Sequence, residues 1–481
     1  MFKPIHFYAL MALLLGSRLI SMAFLPLVDT SEPRYAEIAR LMVQTNDWIT
    51  PWFSPEVPFW GKPPFAFWAQ ALSFKLFGIH EFTGRLPSWL ATLASVFLIY
   101  KLASAQFGNR VGQVAVLIFS SSSLVFVTLG AVITDPFFAL ATTWAMVAYA
   151  MAQFRPHWGW RYGFFVALAL GLLTKGPLVG VLVAAPILAG LIVSRQSRHR
   201  FMAMPWFTGF TLMLALSLPW YVLAELKTPG FLNYFLVGEH FYRFVNPGWS
   251  GDLYGSAHQE LKGKIWADYL ASALPWSVVA LFMLLGKVSN GAGRARILTH
   301  LRDPSQLYLI SWAIFTPLFF TLSGNILWTY VLPALPAFSV LLALALALDD
   351  TLQQRVQLRW AVLCATVVVP LTASVIFGSW AFQPLTLKTE KYLVAEALAQ
   401  MKPQDQLAYL GPTPFSATFY SKGRAQSFAL DSLKQHPIGH ALYLAVPKEA
   451  MDSFKEKFGT NILLVTENYR YVLIKLAPSL K

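Results

Sequence analysis

The feature that most constrains this chain is a series of eleven apolar stretches, each close to the length that crosses a lipid bilayer. About 17 to 25 mostly apolar residues span the hydrocarbon core as a helix. Only 12% of the residues are charged, whereas an ordinary soluble domain has about 25%. The sequence therefore predicts an α-helical polytopic membrane protein and excludes a soluble enzyme, a disordered protein and a collagen-like protein. The stretches lie near residues 5–25, 83–100, 111–128, 136–154, 160–174, 177–193, 206–224, 268–286, 307–322, 326–348 and 360–382.

The first stretch is predicted to be a retained span rather than a signal peptide. Arg18 interrupts it, and it lacks a cleavage site of the small-x-small type. Because a charge inside a membrane needs a partner, Arg18 is expected to pack against a neighbouring span or to reach the interface. The single cysteine, Cys364, excludes an internal disulfide and a thiolate metal cluster.

The basic residues are distributed unevenly between the two sides of the membrane. With a cytoplasmic N-terminus, the short connectors on the cytoplasmic side are rich in Lys and Arg, and their acidic residues are Asp303, Asp349 and Asp350. Acidic and basic residues are nearly balanced on the other side. This asymmetry follows the positive-inside rule and accounts for most of the net charge of +14. No nucleic acid partner is therefore predicted.

Two long loops, 26–82 and 225–267, fall on the outer side, where functional residues are expected to concentrate. Within the first loop, residues 64–78 are apolar but too short for a span, and they predict a helix at the interface. The chain is divided into a transmembrane domain, 1–382, and a small outer α/β domain, 383–481. The second domain is predicted from one segment with helical periodicity, LVAEALAQM, and from the strand-like segments DQLAYL, HALYLAV, NILLVT and YRYVLIKL.

Two acidic residues at the outer ends of spans are candidates for chemistry. Asp29 follows the first span, and Asp135 lies in a very short loop between the third and fourth spans. The topology places both carboxylates on the same face and at the same depth. Each also has a simpler interpretation as part of a helix start, because Thr30 or Ser31 is suited to cap a helix and Asp135 precedes a proline.

Basic residues of the outer face form a second group of candidates. Lys62 lies between aromatic residues and prolines, which hold its charge at the level of lipid phosphates, although a generic interfacial anchor has the same pattern. Lys175 is another outer lysine, and a helix C-terminus also favours a lysine there. Glu239, His240 and Arg243 lie within one helical turn, a spacing that aims His and Arg at one anionic ligand.

Further polar residues lie on the same outer face. His258 follows in the second long loop, and residues 323–325 and 329–333, which include Tyr330, form a polar patch near the last spans. A Glu/His metal site is an open alternative for Glu239 and His240, but two ligands do not define a metal site.

Together these segments resemble the polyprenyl-phosphate-sugar-dependent glycosyltransferases of the GT-C class. The likeness is strongest to the lipid A aminoarabinose transferases and weaker to the protein O-mannosyltransferases. The motifs occur in the order typical of the family: D-x-x-E-P-R-Y-A-E-I at 29–38, D-W-I-x-P at 47–51, G-K-P-P at 61–64, T-D-P at 134–136, T-K-G-P at 174–177, E-H-x-x-R-F at 239–244 and T-Y-x-L-P-x-x-P at 329–336.

The resemblance implies a GT-C-like fold with about 11 to 13 transmembrane helices and a small C-terminal α/β periplasmic domain. It implies a multi-pass protein of the bacterial inner membrane with its active site facing the periplasm. Catalytic roles are implied for Asp29 and Asp135, and donor-phosphate binding for Lys62, Arg243 and Lys175. The residues expected to line the substrate cavity are Arg34, Tyr35, Glu239, His240, His258 and Tyr330.

The implied reaction moves a sugar from an undecaprenyl phosphate donor to lipid A or a related periplasm-facing glycolipid, by inverting single displacement. Two alternatives stay open at this point. One is the same chemistry on a secreted protein's Ser or Thr, or on a polysaccharide. The other is a lipid transporter or flippase, which predicts charges within the spans and inverted repeats. The expected partners are the lipid-linked donor, the glycolipid acceptor and membrane lipids.

The chain departs from the family pattern at some positions. Gly61 stands where family members often have a Glu, so a metal site built from that residue would lose a ligand. No cofactor is predicted with certainty, and a divalent metal is not supported by a complete set of ligands. Residues 323–326 lack the basic residue that aminoarabinose enzymes tend to carry, so the sugar and the acceptor are left open.

Overall fold

The computed structural model describes residues 4–255, 257–289, 291, 302–347, 352–429, 440–458 and 462–476. A bundle of helices extends to Phe382, and a five-stranded sheet with short helices follows it. The predicted combination of a helical membrane region with a small C-terminal α/β unit is thereby confirmed. The boundary between residues 382 and 383 as a division into two domains stays a prediction.

The helices of the membrane region follow the predicted apolar stretches and the two long loops. They are α1 (Pro4–Phe24), α2 (Ser31–Thr45), α3 (Phe65–Phe77), α4 (Glu81–Phe107), α5 (Asn109–Ser121), α6 (Ser123–Thr128), α7 (Asp135–Phe154), α8 (Trp158–Lys175), α9 (Leu178–Val193), α10 (Arg195–Met202), α11 (Trp206–Lys227), the π-helix Asn233–Tyr242, α12 (Arg243–Val245), α13 (Lys264–Ser272), α14 (Trp276–Val288), α15 (Pro304–Phe320), the 3₁₀ helix Trp328–Ala334, α16 (Leu335–Ala347) and α17 (Leu352–Phe382).

Each predicted span coincides with one of these helices or with a pair of them. Within the described residues, six helices are long and apolar enough to cross a membrane, or seven if the bent pair α13–α14 counts as one span. The axes of that pair differ by 106°, and Pro275 lies at the break, where it cannot continue the preceding helix. The protein is therefore a multi-pass membrane protein, while the number of eleven crossings stays a prediction.

Helix α7 lies at the centre of the bundle and packs against α4, α8 and α9. Most of its residues are buried, because small residues such as Ala141, Ala145 and Ala148 let the neighbouring helices approach. Arg18 on α1 donates to the carbonyl oxygens of Leu129 at 2.7 Å and Val127 at 3.1 Å. As predicted, this buried charge packs against neighbouring helices.

The first outer loop is fixed to the bundle by a buried ion pair. Glu32 on α2 receives two hydrogen bonds from Arg85 on α4, at 2.7 and 3.0 Å, and a third from the backbone N–H of Val132 at 3.1 Å. The Arg85 guanidinium also donates to the carbonyl oxygen of Pro26 at 2.8 Å. The start of α2 therefore has a fixed position relative to the outer ends of α1 and α4. A short hairpin, β1 (Trp52–Ser54) with β2 (Val57–Pro58), and the predicted interfacial helix α3 complete the loop.

The C-terminal unit is a mixed sheet with the strand order β4-β3-β5-β7-β6. Strand β3 pairs parallel with β4 and β5, and β7 pairs antiparallel with β5 and β6. The predicted helix and strands are all present within the described residues. The elements are the 3₁₀ helix Pro384–Thr386, α18 (Lys391–Gln400), β3 (Gln406–Leu410), α19 (Phe415–Tyr420), β4 (Ala425–Phe428), β5 (Leu442–Pro447), the 3₁₀ helix Lys448–Ala450, α20 (Met451–Phe458), β6 (Leu463–Glu467) and β7 (Tyr471–Leu476).

The C-terminal unit packs directly on the first outer loop. Lys391 pairs with Glu81 at 2.6 Å, and the hydroxyl of Tyr420 accepts a hydrogen bond from the backbone N–H of Leu27 at 2.7 Å. The unit therefore lies on the same side of the helix bundle as the two long loops.

Candidate active site

Two cavities meet at the outer end of the helix bundle. One, the polar chamber, has a volume of about 460 Å³ and lies between the outer loops and the C-terminal unit. The other, the apolar cavity, has a volume of about 230 Å³ and is lined largely by apolar residues such as Leu178, Val181, Phe235, Phe244, Phe319 and Phe320. The residues that line both cavities form the boundary between them: Lys62, Lys175, Glu239, Arg243 and Tyr330.

Glu239 holds two cations on one side of this boundary. Its Oε2 lies 2.9 Å from Nζ of Lys62, and its Oε1 lies 3.0 Å from Nη1 of Arg243. Arg243 also pairs with Asp252 at 3.1 Å. Burial alone would raise the pKa of Glu239, but the charges of Lys62 and Arg243 outweigh it and hold the pKa below its usual value. The carboxylate therefore stays ionised between the two cations.

Lys175 lies on the other side of the boundary and pairs with Asp135 of the polar chamber. Nζ of Lys175 lies 2.7 Å from Oδ1 of Asp135 and 5.3 Å from the ring centre of Tyr330. Helix α8 ends at Lys175 because Gly176 follows it with φ at 68°, a left-handed conformation that favours glycine. A Cβ at position 176 would meet the ring of Phe235 at 2.8 Å. This close approach brings the end of α8 against the π-helix and places Lys175 near the other cations.

Both ring nitrogens of His240 contact backbone carbonyl groups, which gives no support to the expectation that His240 and Arg243 bind one anionic ligand. Its two ring nitrogens lie 2.7 Å from the carbonyl oxygen of Phe235 and 2.9 Å from that of Lys175. Burial lowers the pKa of His240, although the two carbonyl contacts act in the opposite direction. The imidazole lines the apolar cavity and connects the π-helix with the end of α8, so its contact with the boundary is structural.

Arg34 lies one turn into α2 and lines the polar chamber. Its Nη1 donates to the carbonyl oxygen of Tyr254 at 2.8 Å, and its guanidinium lies over the rings of Tyr35 and Phe415 at 5.1 and 5.6 Å. Within the described part of the chain, Nε of Arg34 and Nε of Arg243 are buried and have no hydrogen-bond acceptor. Both guanidinium groups line the polar chamber, where their positive charges are suited to an anionic ligand.

The structure places Asp29 away from the chamber, although Thr30 and Ser31 line it. The Asp29 carboxylate receives hydrogen bonds from the backbone N–H of Ser416 at 2.8 Å and from its hydroxyl at 2.6 Å. Arg470 pairs with the same carboxylate at 2.6 Å, and the side chain is only 2% exposed. The two acids that the sequence places at the same depth therefore face different surroundings, and this geometry gives no support to a catalytic role for Asp29.

The remaining predicted residues line the polar chamber. Tyr35 packs edge-on against Phe59, with ring centres 6.1 Å apart, and His258 lies on the wall formed by the second long loop. Burial is the main cause that lowers the pKa of His258, and the positive charge of Arg243 acts in the same direction. Tyr330 lies at the boundary. The chamber thus contains Asp135 and each predicted cavity residue except His240, which lines the apolar cavity.

No group of three or more His, Cys, Asp or Glu side chains in the described ranges is placed to hold a metal ion. Glu239, which a Glu/His metal site requires, is instead paired with Lys62 and Arg243. Both nitrogens of His240 face carbonyl groups. The residues present therefore do not fit a metal at this site.

The chamber residues absent from the sequence-based prediction include Asp252, Tyr254 and Phe415, which contact predicted residues. Asp252 and Tyr254 follow the E-H-x-x-R-F motif closely, and a second acid so near to Arg243 is a usable signal. Phe415 gives no such signal, because it belongs to the C-terminal unit and reaches the chamber only through the packing of that unit on the first outer loop.

Comparison with known proteins finds relatives of this chain. A family model described as dolichyl-phosphate-mannose-protein mannosyltransferase matches residues 61–222. The undecaprenyl phosphate-alpha-4-amino-4-deoxy-L-arabinose arabinosyl transferase of Yersinia pestis (strain Pestoides F) is 32% identical over 372 residues, which cover 73% of this chain. The protein of the same name from Serratia proteamaculans (strain 568) is 30% identical over 321 residues, or 65% of this chain. The chain spans 63% and 54% of the lengths of these two curated relatives.

Solved structures give a likeness over nearly the whole chain. ArnT from Cupriavidus metallidurans bound to undecaprenyl phosphate matches with a TM-score of 0.79 and 18% identity, and the match covers 98% of both chains. The archaeal oligosaccharyltransferase AglB from Archaeoglobus fulgidus matches with a TM-score of 0.53 and 12% identity, over 94% of this chain and 71% of AglB. The predicted GT-C-like fold and the resemblance to the aminoarabinose transferases are therefore confirmed.

Proposed function

We propose that this chain is an integral membrane glycosyltransferase that moves an amino sugar from an undecaprenyl phosphate donor to lipid A or a related glycolipid. The reaction takes place at the periplasmic face of the bacterial inner membrane. The observation that carries the proposal is the position of Lys62, Lys175 and Arg243 at the boundary between an apolar cavity and a polar chamber. The names of the curated relatives support the choice of donor.

The three parts of a lipid-linked sugar phosphate match the three parts of the site, in the same order. The prenyl chain enters the apolar cavity, the phosphate lies at the boundary cations, and the sugar extends into the polar chamber. One lysine about 4 Å from the phosphate contributes roughly 4 kcal/mol at an effective dielectric of 20. Realised only in the transition state, that energy corresponds to about a thousandfold in rate.

The charges at the boundary also favour an amino sugar. The cations Lys62, Lys175 and Arg243 are paired with Glu239, Asp252 and Asp135, so these charges balance one another. A ligand that brought only a phosphate would leave a buried carboxylate without its partner, which is costly. In a donor with a phosphate and an ammonium group, the phosphate pairs with the cations and the ammonium group pairs with the carboxylate that the phosphate displaces.

The chemistry follows from this placement. An oxygen of the acceptor attacks the anomeric carbon, the bond from that carbon to the phosphate oxygen breaks, and undecaprenyl phosphate leaves with the electron pair. The boundary cations stabilise the charge that develops on the leaving phosphate. If the acceptor is a hydroxyl, Asp135 takes its proton, whereas a phosphate acceptor needs no base and Asp135 then orients the sugar.

The test uses the purified full chain in liposomes with undecaprenyl phosphate aminoarabinose as donor and lipid A as acceptor. Mass spectrometry is expected to find lipid A heavier by one aminoarabinose residue. Lys62→Gln should lower the transfer rate by about a hundredfold. Lys75→Gln is the matched control, because Lys75 lies in the same outer loop but is exposed and lines neither cavity. Unmodified lipid A with wild-type protein, or equal rates for the two variants, would contradict the proposal.

A further inference from the structure

The C-terminal unit forms part of the wall of the polar chamber. Phe415, the first residue of α19, lines the chamber, and its ring lies against the guanidinium of Arg34 at 5.6 Å and against the ring of Phe53 at 5.7 Å. Phe415 does not line the apolar cavity. The unit that follows the membrane region therefore reaches the site only on its polar side.

A buried clamp holds Phe415 in this position. Ser416 donates its backbone N–H and its hydroxyl to the two carboxylate oxygens of Asp29, and Arg470 pairs with Asp29 and with Glu390 at 2.6 Å each. Glu390 is buried and also accepts a hydrogen bond from the side chain of Asn468 at 2.8 Å. The clamp thus connects Ser416, which directly follows Phe415, with Asp29, which lies two residues before the start of α2.

Both ends of the clamp are next to residues that line the chamber. On one side Asp29 precedes Thr30 and Ser31, which line the wall, and Arg34 follows one turn later. On the other side Ser416 follows Phe415. A second attachment holds the far end of α19, where the hydroxyl of Tyr420 donates to Glu81 at 3.0 Å. The stack of Phe415 on Arg34 therefore depends on contacts between two regions that are far apart in sequence.

The side from which the acceptor attacks determines which substrate contacts Arg34 and Phe415. In a single displacement the acceptor attacks from the side opposite to the leaving group. The proposed function places the leaving phosphate at Lys62, Lys175 and Arg243. Arg34 and Phe415 line the polar chamber but not the apolar cavity. The guanidinium of Arg34 lines the chamber, and its positive charge is suited to an anionic group of the ligand there.

We propose that Phe415 and Arg34 bind the headgroup of an anionic acceptor and that Asp29 is a positioning residue, which holds this pair in place through Ser416 and Arg470. This inference rests on the proposed function, because it takes the position of the donor phosphate from it. It gives the C-terminal unit a direct part in acceptor recognition and gives Asp29 a role other than that of a general base.

The test measures kcat and the acceptor KM with lipid A, together with the binding of undecaprenyl phosphate alone. Phe415→Ala should raise the acceptor KM by about tenfold, with kcat within about twofold and undecaprenyl phosphate binding unchanged. Phe415→Tyr, which keeps the ring, should restore most of the acceptor affinity. An unchanged acceptor KM in Phe415→Ala would overturn the proposal.

The role of Asp29 is tested by comparison with its partners. Asp29→Asn and Arg470→Gln should each raise the acceptor KM. The acceptor KM of the double variant should be little higher than that of either single variant. Ser416→Ala removes one hydroxyl and should act in the same direction even if Arg470→Gln does not fold. Lys448→Gln is the matched control, because it breaks an exposed ion pair with Glu467 in the same C-terminal unit.

A different pattern would identify Asp29 as a catalytic base. In that case Asp29→Asn abolishes kcat with an unchanged acceptor KM, while Arg470→Gln and Ser416→Ala transfer sugar normally. That result overturns the positioning role but leaves the proposed function intact. Wild-type protein that transfers no sugar to lipid A, but still binds undecaprenyl phosphate, would instead contradict the proposed function.

Discussion

Asp29 and Asp135 form ion pairs at the same end of the molecule, yet the two pairs differ in what surrounds them. Asp135 pairs with Lys175 at 2.7 Å, and its side chain is 13% exposed at the wall of the polar chamber. Asp29 pairs with Arg470 at 2.6 Å but is 2% exposed and is enclosed by the C-terminal unit. Position along the membrane normal is therefore a poor guide to chemistry. The residues packed around a carboxylate determine whether it can contact a substrate or has a structural role.

The largest difference between the two pairs should appear when each acid is neutralised. Asp135→Asn removes the carboxylate that pairs with Lys175, and we expect kcat to fall by about 10² to 10⁴-fold for a hydroxyl acceptor. The readout is single-turnover sugar transfer in liposomes, with undecaprenyl phosphate binding as the control for folding. A rate within about threefold of the wild type would show that Asp135, like Asp29, does not act as a catalytic base.

A second test uses the charge balance at the boundary. Glu239→Gln leaves Lys62 and Arg243 without their shared carboxylate, so the product undecaprenyl phosphate should bind about tenfold more tightly. The expected consequence is slower turnover, because product release becomes limiting. Equilibrium binding of undecaprenyl phosphate checks this result, and weaker binding than in the wild type would show that Glu239 contacts the lipid phosphate site in another way.

The ion pair between Glu32 and Arg85, which lines neither cavity, should affect stability more than catalysis. Glu32→Gln leaves the buried Arg85 with a weaker partner, and removal of one member of such a pair costs about 3 to 5 kcal/mol of stability. We expect a lower thermal midpoint in detergent and unchanged KM values for both substrates. A raised donor KM without a loss of stability would assign Glu32 to the substrate site instead.

The smallest expected effect is a contrast in pH dependence between the two regions. The pKa of Glu239 lies below its usual value, so its stabilising contribution is present above about pH 4.5 and is lost as the pH falls further. Burial raises the pKa of Glu390 even beside Arg470, so its contribution is present at low pH and is lost as the pH rises.

The thermal midpoints of Glu239→Gln and Glu390→Gln, measured against the wild type across the pH range, check this contrast. The difference for Glu239→Gln should shrink as the pH falls, and the destabilisation by Glu390→Gln should shrink as the pH rises. Parallel curves for the two variants would show that the two clusters have the same electrostatic character.

The sequence predicts the helices and the outer face well, because apolar length and charge asymmetry are properties of short segments. The segments at 64–78 and 406–410 show this for the interfacial helix and for a strand. The same reasoning places Lys62 and Arg243 on one face, and in the structure both residues line the two cavities.

The partners of each side chain could not be predicted, because they are distant in sequence. Arg470 encloses Asp29 although 441 positions separate them. His240 and Arg243 lie within one turn, but the carbonyl of Lys175 turns the imidazole away from a shared ligand. Helical spacing determines which residues share a face, whereas the tertiary packing determines what each of them contacts.

The central claim is that Lys62, Lys175 and Arg243 hold the donor phosphate between the apolar cavity and the polar chamber. A structure of the full chain with bound undecaprenyl phosphate tests it most directly. The account predicts phosphate oxygens about 3 Å from the nitrogens of these three side chains, with the prenyl chain along Phe244 and Phe319. A phosphate held by Arg34 and Phe415, or a prenyl chain outside the apolar cavity, would contradict it.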